Sequence, residues 1–336
     1  MPEKKIRILQ FGEGNFLRGF MEDMVQHACD NSDYDGGVAV IKPRNGGSLE
    51  KFRTQGNRYC LVLRGIKDGR KVNEIRQIDT IGAVYYGDTD KDKYLSLAGS
   101  ADLRLVVSNT TEAGIVFNPE DKDPEVSLMS YPGKLTAFLY KRFCALANGS
   151  ALDRGGLVIL PMELNENNGE LLLRCVLKYA EYWKLPHDFS DWIIGYNLFC
   201  NTLVDRIVSG FPKTDAGQLQ AKAGFRDELM VVAEPYGSLV IETDSPDRVI
   251  NAFPFDRCGV KVTFTEDLIL YRQQKVKILN GIHTAICMTG LMMGLKYVDE
   301  CMSQPLLRRY VNEAVAEEII PTISYRRKKR RLLQKQ

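Results

Sequence analysis

The 336-residue sequence is poor in residues that bind metals, since it has only three histidines and no two of them stand at a ligand spacing. Its eight cysteines are scattered and include no Cys-x-x-Cys pair, which excludes the usual zinc and disulfide-framework patterns. Scattered cysteines among apolar neighbours are typical of reduced thiols in an intracellular protein. We therefore expect a cytoplasmic protein whose chemistry needs no metal.

Long apolar runs are also missing. The most apolar run, 281–295, is too short to span a bilayer, and the N-terminus carries no apolar signal segment. Hydrophobic residues make up 44% of the chain and charged residues 26%, which is ordinary for a soluble globular protein with room for two domains.

Strong positive charge occurs only at the C-terminus. Residues 325–336 contain seven Lys and Arg and no acid, and the remaining 38 basic residues face 43 acidic ones. The net charge of residues 1–324 is therefore slightly negative and does not favour binding of nucleic acid. The tail has six consecutive cations, Arg326 to Arg331, which could contact phosphates, but its only aromatic residue is Tyr325. We expect no nucleic-acid partner and a disordered tail.

The first motif is a strand followed by glycines. Lys5–Phe11 is typical of a short strand, Gly12-Glu-Gly14 follows it, and Phe20–Ala28 has helical periodicity. In dinucleotide-binding folds the first glycine permits a tight turn, and the second lets the backbone approach a pyrophosphate. A leucine replaces the usual third glycine, so a simple turn is the alternative. The candidate cofactor-binding residues are Gly12, Gly14, Asn15, Phe16, Leu17 and Arg18.

The second strand, Gly37–Ile41, is followed by Lys42-Pro43-Arg44, where an acid that binds the adenosine ribose is usual. Two cations there suit either a 2′-phosphate, and hence NADP, or a solvated turn. These residues leave the choice between NAD and NADP open. Further along, Tyr59–Arg64 and Lys71–Ile78 predict a hairpin inserted into the simple alternation of strands and helices.

Polar residues follow two further apolar strands. Leu103–Ser108 runs into a segment with Thr111 and Glu112, and Gly156–Pro161 runs into one with Asn168. A doubly wound sheet binds its ligands beyond the carboxyl ends of its strands, so Thr111 and Glu112 are candidate cofactor contacts. A helix cap is the alternative of equal weight.

Later elements are predicted from periodicity. Helices are expected at Pro132–Ala147, Leu171–Trp183 and Asp191–Ile207, strands at Met230–Val232 and Ser238–Glu242, and helices again from Thr265 onward. The helix predicted at Asp191–Ile207 includes Asp205-Arg206 among apolar neighbours. That pair is either an ordinary surface pair or part of a site, because an acid in apolar surroundings needs a partner.

Three polar residues interrupt the apolar helical run after Thr265. On a regular α-helix Lys275, Asn280 and His283 fall at roughly 0°, 140° and 80°, so they share one side, whereas Lys277 at about 200° points away. A proton acceptor, an amide and an imidazole suit the interconversion of an alcohol and a carbonyl. A regular helix would separate Lys275 from His283 by about 12 Å along its axis. Either the helix is irregular near Asn280-Gly281, or His283 meets a different part of the substrate from Lys275. We expect the irregularity, because a bend at Gly281 would bring the groups together.

Together these patterns predict an α/β fold with a Rossmann-like doubly wound sheet and insertions in residues 1–265. The start of an all-α domain is expected at 266–324, before the tail at 325–336. A cleft between a dinucleotide domain and a helical domain is a common substrate site.

Four motifs, in this order, resemble the mannitol dehydrogenase family, the polyol-specific long-chain dehydrogenases/reductases. They are Gly12-x-Gly14-x-Phe16-x-Arg18, Asn168-Gly169, Asn201-x-x-Val204-Asp205-Arg206 and Lys275-x-x-x-x-Asn280-x-x-His283. Segments 8–18, 108–115 and 233–236 are most similar to members that interconvert D-tagaturonate and D-altronate in hexuronate catabolism. Fructuronate/mannonate and mannitol-type dehydrogenases are the near alternatives.

The resemblance implies an NAD(H)-dependent reaction without a metal on a small sugar acid. It implies that Lys275 is the general base, that Asn280 bonds the developing alkoxide, and that His283, Asn168 and Asp205 complete the polar network. Members of the family continue with a long helical domain, so we expect a truncated or frame-shifted product that lacks part of the substrate pocket. That expectation brings its activity into question and makes a non-catalytic dinucleotide-binding remnant the alternative. The oligomeric state is left open.

Overall fold

A computed structural model describes residues 4–44, 46–67, 69–126, 128–147 and 154–323. The predicted basic tail, 325–336, lies outside these residues. The chain divides into two compact units, Met1–Phe264 and Thr265–Gln336. Within the described ranges, no helix combines the length and the apolar character that a membrane crossing requires.

The strands lie in the first unit. They are β1 (Lys5–Phe11), β2 (Gly36–Lys42), β3 (Tyr59–Lys67), β4 (Arg70–Ile78), β5 (Ile81–Tyr86), β6 (Leu105–Ser108), β7 (Val158–Pro161), β8 (Leu198–Phe199), β9 (Asn201–Asp205), β10 (Val208–Gly210), β11 (Val231–Ala233), β12 (Ser238–Glu242) and β13 (Lys261–Thr265), the last of which ends at the boundary between the units.

The helices occur in both units. Those of the first are α1 (Asn15–Arg18), α2 (Met21–Asn31), α3 (Glu50–Thr54), α4 (Lys91–Leu95), α5 (Tyr131–Leu146), α6 (Asn168–Tyr182), α7 (His187–Tyr196), α8 (Ala216–Ala223) and α9 (Pro246–Ala252), with 3₁₀ turns at Ser96–Gly99 and Phe255–Arg257. Those of the second are α10 (Ile269–Gln273), α11 (Gly281–Met292), α12 (Val298–Ser303) and α13 (Pro305–Glu313), with π-helical segments at Gln274–Asn280 and Ala314–Ile319 and a 3₁₀ turn at Ile320–Thr322.

The central sheet has the order β5-β2-β1-β6-β7-β8, and its neighbouring strands are parallel. Counted in chain order within this sheet, the order is 3-2-1-4-5-6, that of a doubly wound dinucleotide-binding fold. Both faces are covered, since Ile8 belongs to the core that includes α2 and Leu9 to the core that includes α5, α6 and α7. The order reverses between β1 and β6, so a ligand is expected beyond the carboxyl ends of these two strands. The predicted fold class is confirmed.

Smaller sheets are added to this plan. The predicted hairpin is present as β3 and β4, whose register pairs Lys67 with Arg70, and it joins β10 and β11 in one sheet. A third sheet has the order β13-β12-β9.

The helix predicted at Asp191–Ile207 is wrong beyond Tyr196, where α7 ends. Asn201–Asp205 is instead the strand β9, which pairs with β12 along its whole length. Its β-branched Thr202 and Val204 are both buried at 4% exposure, whereas Leu203 and Asp205 are less buried, so from Thr202 onward the burial follows the period of two of a strand. Pairing with a partner strand thus decides a segment whose apolar residues fit either period.

The second unit is helical in its described part, as the pattern after Thr265 predicted. Its core is small and consists of Ile286, Cys301, Leu307 and Val311 from α11, α12 and α13.

Candidate functional site

Gly12 lies where the loop after β1 is most confined. Its φ of +121° favours glycine, and a Cβ there would come within 2.8 Å of the Asn109 carbonyl oxygen. Its N–H donates to the Ile41 carbonyl at 2.9 Å. The loop is therefore held between the end of β2 and the loop after β6, at the point where the strand order reverses. A Cβ on Gly14 would meet no atom within 4 Å, so this side of the loop is open.

The residues after the glycines form the single turn α1. Leu17, in place of the third glycine, is 1% exposed and packs in the core, and Phe16 stacks on Phe20 with ring centroids 5.1 Å apart. The first internal hydrogen bond of the turn runs from Arg18 to Gly14 at 3.3 Å, and earlier N–H groups of a helical turn lack such a partner. Any contact of Leu17 with a cofactor would therefore be through its backbone.

Arg18 faces inward. Its guanidinium donates to the Glu13 carbonyl at 2.5 Å and to Asn15 Oδ1 at 2.7 Å, and it lies 5.7 Å and 5.9 Å from the ring centroids of Phe52 and Tyr59. Its exposure is 8%. These contacts stabilise the glycine loop from its buried side.

A buried carboxyl group supports the same loop. The Gln10 amide donates to the Gly12 carbonyl at 2.9 Å and to Glu22 Oε1 at 2.7 Å, and the Tyr59 hydroxyl lies 2.7 Å from Glu22 Oε2. Burial raises the pKa of Glu22, and the hydrogen bonds from Gln10 and Tyr59 oppose this shift in part. Sequence reasoning missed this residue, because an acid on an amphipathic helix is usually solvated.

The loop after β6 is fastened to the loop after β7. Glu163 accepts hydrogen bonds from the Ser108 hydroxyl at 3.0 Å and from the backbone N–H and hydroxyl of Thr110 at 2.9 Å and 3.0 Å. Burial raises the pKa of Glu163 as well. The signal available in the sequence was positional, since an acid and two hydroxyls directly follow neighbouring parallel strands.

The two residues predicted as cofactor contacts in this loop, Thr111 and Glu112, are exposed. The carbonyl of Glu112 accepts a hydrogen bond from the Asn165 amide at 2.9 Å, which ties the loop to the segment after β7 a second time. Their side chains thus lie at the surface beyond β6, on the same edge of the sheet as the glycine loop.

Asn168, predicted to belong to the catalytic network, is 1% exposed at the start of α6. Its amide nitrogen donates to the carbonyls of Pro161 and Glu163, each at 2.9 Å, and its oxygen accepts from the N–H groups of Thr202 at 2.8 Å and Gly169 at 3.0 Å. Both ends of the amide are thus used to join β7, β9 and α6. These bonds give Asn168 a structural role, and a catalytic role stays a prediction.

Arg206 is paired with an acid on another element. Arg206, 7% exposed, donates to Asp23 on α2 at 2.7 Å and to the Glu234 carbonyl at 3.0 Å. Asp205, at the end of β9, is half-buried and pairs through its backbone with Ser238 of β12. Arg206 therefore compensates the charge of the buried Asp23, and a catalytic role for Asp205 stays a prediction.

The second unit contains the other three predicted residues, on one irregular helix. Gln274–Asn280 is a π-helical segment between α10 and α11, so the expected irregularity is confirmed. Gly281 has ordinary helical angles, φ −59° and ψ −43°, so the irregularity is a widened turn and not a glycine bend.

The widened turn narrows the angle between these side chains around the helix. In a π-helix the N–H of one residue bonds the carbonyl five residues earlier, so Lys275 and Asn280 are related as residues four apart are in an α-helix. His283 follows three residues later on α11 and is the next neighbour of Asn280 along that side. Lysine, amide and imidazole are therefore closer together around the helix than on a regular helix, where Asn280 would be turned about 140° from Lys275.

Two hydrogen bonds show how side chains of this helix are oriented. His283 Nδ1 lies 2.8 Å from the Leu279 carbonyl. Because a carbonyl only accepts, Nδ1 is the donor in this contact, which leaves Nε2 at the other edge of the ring for a different partner. Lys277 instead donates to the Thr322 carbonyl at 2.6 Å, in agreement with its predicted direction away from Lys275.

Comparison with known proteins gives matches over both units. The family model described as the mannitol dehydrogenase Rossmann domain matches residues 6–251, and that of the mannitol dehydrogenase C-terminal domain matches residues 267–334. The second match includes residues 325–334 of the basic tail.

Curated relatives are similar over nearly the whole chain. The altronate oxidoreductase of Bacillus subtilis is 43% identical over 322 residues, 96% of this chain and 65% of that protein. The altronate oxidoreductase of Halalkalibacterium halodurans is 39% identical over 324 residues, 96% of this chain and 62% of that protein. The chain thus spans less than two thirds of the length of these relatives.

Solved structures share the fold. A D-sorbitol dehydrogenase in substrate-free form superposes with a TM-score of 0.78 at 22% identity, over 97% of this chain and 67% of that one. The Pseudomonas fluorescens mannitol 2-dehydrogenase, in a ternary complex with NAD and D-mannitol, gives 0.74 at 21% identity, over 97% and 66%. With the two domain matches and the strand order of its sheet, the chain belongs to the mannitol dehydrogenase family.

Proposed function

We propose that the chain is an NAD(H)-dependent oxidoreductase that interconverts D-altronate and D-tagaturonate. The observation that carries the proposal is the π-helical segment Gln274–Asn280, because its wider turn favours a lysine, an amide and an imidazole close together on one side of one helix. The relatives named altronate oxidoreductase, at 43% and 39% identity, support the choice of a sugar acid as substrate. Oxidation of a secondary alcohol removes a proton from oxygen and a hydride from carbon, so the chain must hold an acceptor for each.

The dinucleotide, when bound, supplies the hydride acceptor. The residues where the strand order reverses, between β1 and β6, fit such a group. The Gly12 backbone is confined there, while the space beside Gly14 is open. We assign the pyrophosphate to the loop at Gly14 and the backbone of Asn15–Leu17. The loop with Thr111 and Glu112, beyond the neighbouring strand, is assigned to the nicotinamide half.

Lys275 is assigned the proton transfer at the substrate oxygen. In the oxidative direction its amine takes the hydroxyl proton, and in the reductive direction its ammonium returns a proton to the same oxygen. Asn280 is assigned as the donor that stabilises negative charge on that oxygen as the proton leaves. His283 Nε2 is an acceptor for a further substrate hydroxyl.

The predicted roles of Asn168 and Asp205 differ in support. Asn168 is proposed to position β7 and β9 rather than to contact substrate, because both ends of its amide are already bonded. Asp205 is half-buried at the end of β9, and its part in the network is proposed on the family motif alone.

The test is a steady-state screen of NADH oxidation with D-tagaturonate, D-fructuronate and D-fructose. We expect D-tagaturonate to give a kcat/KM at least tenfold above the other two. Preferred turnover of D-fructuronate or D-fructose would transfer the proposal to that substrate class. Tight NADH binding without turnover of any of the three substrates would refute the proposed oxidoreductase activity. It would favour a non-catalytic dinucleotide-binding protein.

A further inference from the structure

Lys42 is one of the two cations after the second strand that would suit a 2′-phosphate. Its ammonium already has a counter-ion. Its Nζ lies 2.6 Å from Glu13 Oε1, with side-chain exposures of 11% for Lys42 and 29% for Glu13. Lys42 ends β2, and Glu13 is the middle residue of Gly12-Glu13-Gly14. The pair therefore joins the glycine loop to the end of the neighbouring strand.

This contact locates the Glu13 carboxylate. The Gly12 N–H holds the loop to Ile41, the residue before Lys42, and Arg18 holds the Glu13 carbonyl at 2.5 Å. The end of β2 is where dinucleotide-binding folds place the acid that bonds the adenosine ribose. Here that place has a lysine, and a carboxylate reaches it from the glycine loop instead.

The carboxylate has bonding capacity for a ligand. A carboxylate offers about four lone-pair positions on two oxygens, and the ammonium of Lys42 bonds Oε1. At 29% exposure Glu13 is reachable from solvent. An ionised carboxylate accepts hydrogen bonds from ribose hydroxyls and repels the dianionic 2′-phosphate of NADP(H).

We propose that Glu13 determines the choice of dinucleotide, by accepting a hydrogen bond from the adenosine ribose and disfavouring a 2′-phosphate. Lys42 positions the carboxylate. The inference rests on the proposed dinucleotide-dependent function and adds the residue that selects the cofactor.

The test is calorimetric titration of the full chain with NADH and with NADPH. For the wild type we expect NADH to bind at least tenfold more tightly. In Glu13→Gln the ratio of the two dissociation constants should fall at least tenfold, mainly through tighter NADPH binding. Glu181→Gln removes one exposed carboxylate on α6 and serves as the matched control, with the wild-type ratio.

If folded Glu13→Gln has the wild-type ratio of dissociation constants for NADH and NADPH, the inference is overturned. The ion pair of Lys42 and Glu13 would then have no role in cofactor choice. Equal or tighter binding of NADPH by the wild type would also overturn it, and would assign Lys42 to the 2′-phosphate while leaving the oxidoreductase proposal intact. Binding of neither dinucleotide by the wild type would refute the proposed function and the inference together. Thermal unfolding checks each variant, and Glu13→Ser, with the same expected fall in the ratio, replaces Glu13→Gln if the latter does not fold.

Discussion

The Asn168 amide oxygen accepts the N–H of Thr202 at 2.8 Å, and so joins the start of α6 to a strand 34 residues later in the chain. The same side chain bonds the carbonyls of Pro161 and Glu163 on the other side. One buried amide thus satisfies backbone groups of three elements that meet behind the edge of the sheet at which a ligand is expected.

Asn168→Ala should destabilise the protein by about 2–4 kcal/mol, because several buried backbone groups lose their partners at once. Urea unfolding of the two proteins gives the difference. Asn251→Ala, at an exposed position of α9, is the matched control and should change stability by less than about 0.5 kcal/mol. A small effect of Asn168→Ala, with a large loss of kcat, would instead indicate direct contact with substrate.

Glu22 predicts a pH dependence of stability. Its folded-state pKa is raised above the ordinary value of 4.5, so the folded state holds this proton more tightly than the unfolded state does. Its contribution is therefore fully present below pH 4.5 and is lost as the pH rises through the raised folded-state pKa. Glu22→Gln removes this titration and retains an acceptor for Gln10.

The measurement is the unfolding free energy of wild type and Glu22→Gln in urea at several pH values between 4 and 8. The wild type should lose stability relative to the variant as the pH rises. A difference that stays constant over this range would show that Glu22 has the same proton affinity in both states.

Strand bounds were predicted best where both the composition and the flanking turn residues agree. Lys5–Phe11 and Ser238–Glu242 have the predicted bounds. The segment after Tyr196 was missed because its apolar residues fit a helix until the partner strand β12 is known. Side-chain partners such as Glu163 for Thr110, or Glu13 for Lys42, depend on which strands are neighbours. Periodicity contains no such information.

The two glycines of the loop after β1 should respond differently to a methyl group. Gly12→Ala strains a φ of +121° and brings its Cβ within 2.8 Å of the Asn109 carbonyl, so we expect a less stable protein. Gly14→Ala enters open space and should leave the free energy of unfolding within about 0.5 kcal/mol of the wild type. Because that space is assigned to the pyrophosphate, the dissociation constant of Gly14→Ala for NADH should rise at least tenfold above that of the wild type. Unchanged NADH affinity in Gly14→Ala would move the dinucleotide away from this loop.

Gly281 tests whether the irregular helix depends on a glycine. It has right-handed helical angles, and a Cβ would approach the Val276 carbonyl oxygen to 3.7 Å, an ordinary contact. Gly281→Ala should therefore be neutral or stabilising, by up to about 1 kcal/mol, and should retain turnover. Loss of activity in a variant of unchanged stability would mean that the glycine itself, through flexibility or close approach of substrate, is required.

Lys275 and Lys277 form a natural matched pair, since they are the same residue two positions apart on the same π-helical segment. Lys275→Ala removes the proposed proton transfer, so kcat should fall by about 10²–10⁴ while the dissociation constant for NADH stays unchanged. Lys277 donates to the Thr322 carbonyl, so Lys277→Ala should lose some stability of the second unit but retain kcat within about threefold. Parallel steady-state kinetics and NADH titrations of both variants decide the assignment. Equal loss of kcat in the two would show that the helix needs both cations for its structure, and greater loss in Lys277→Ala would place the proton transfer on the opposite side of the helix.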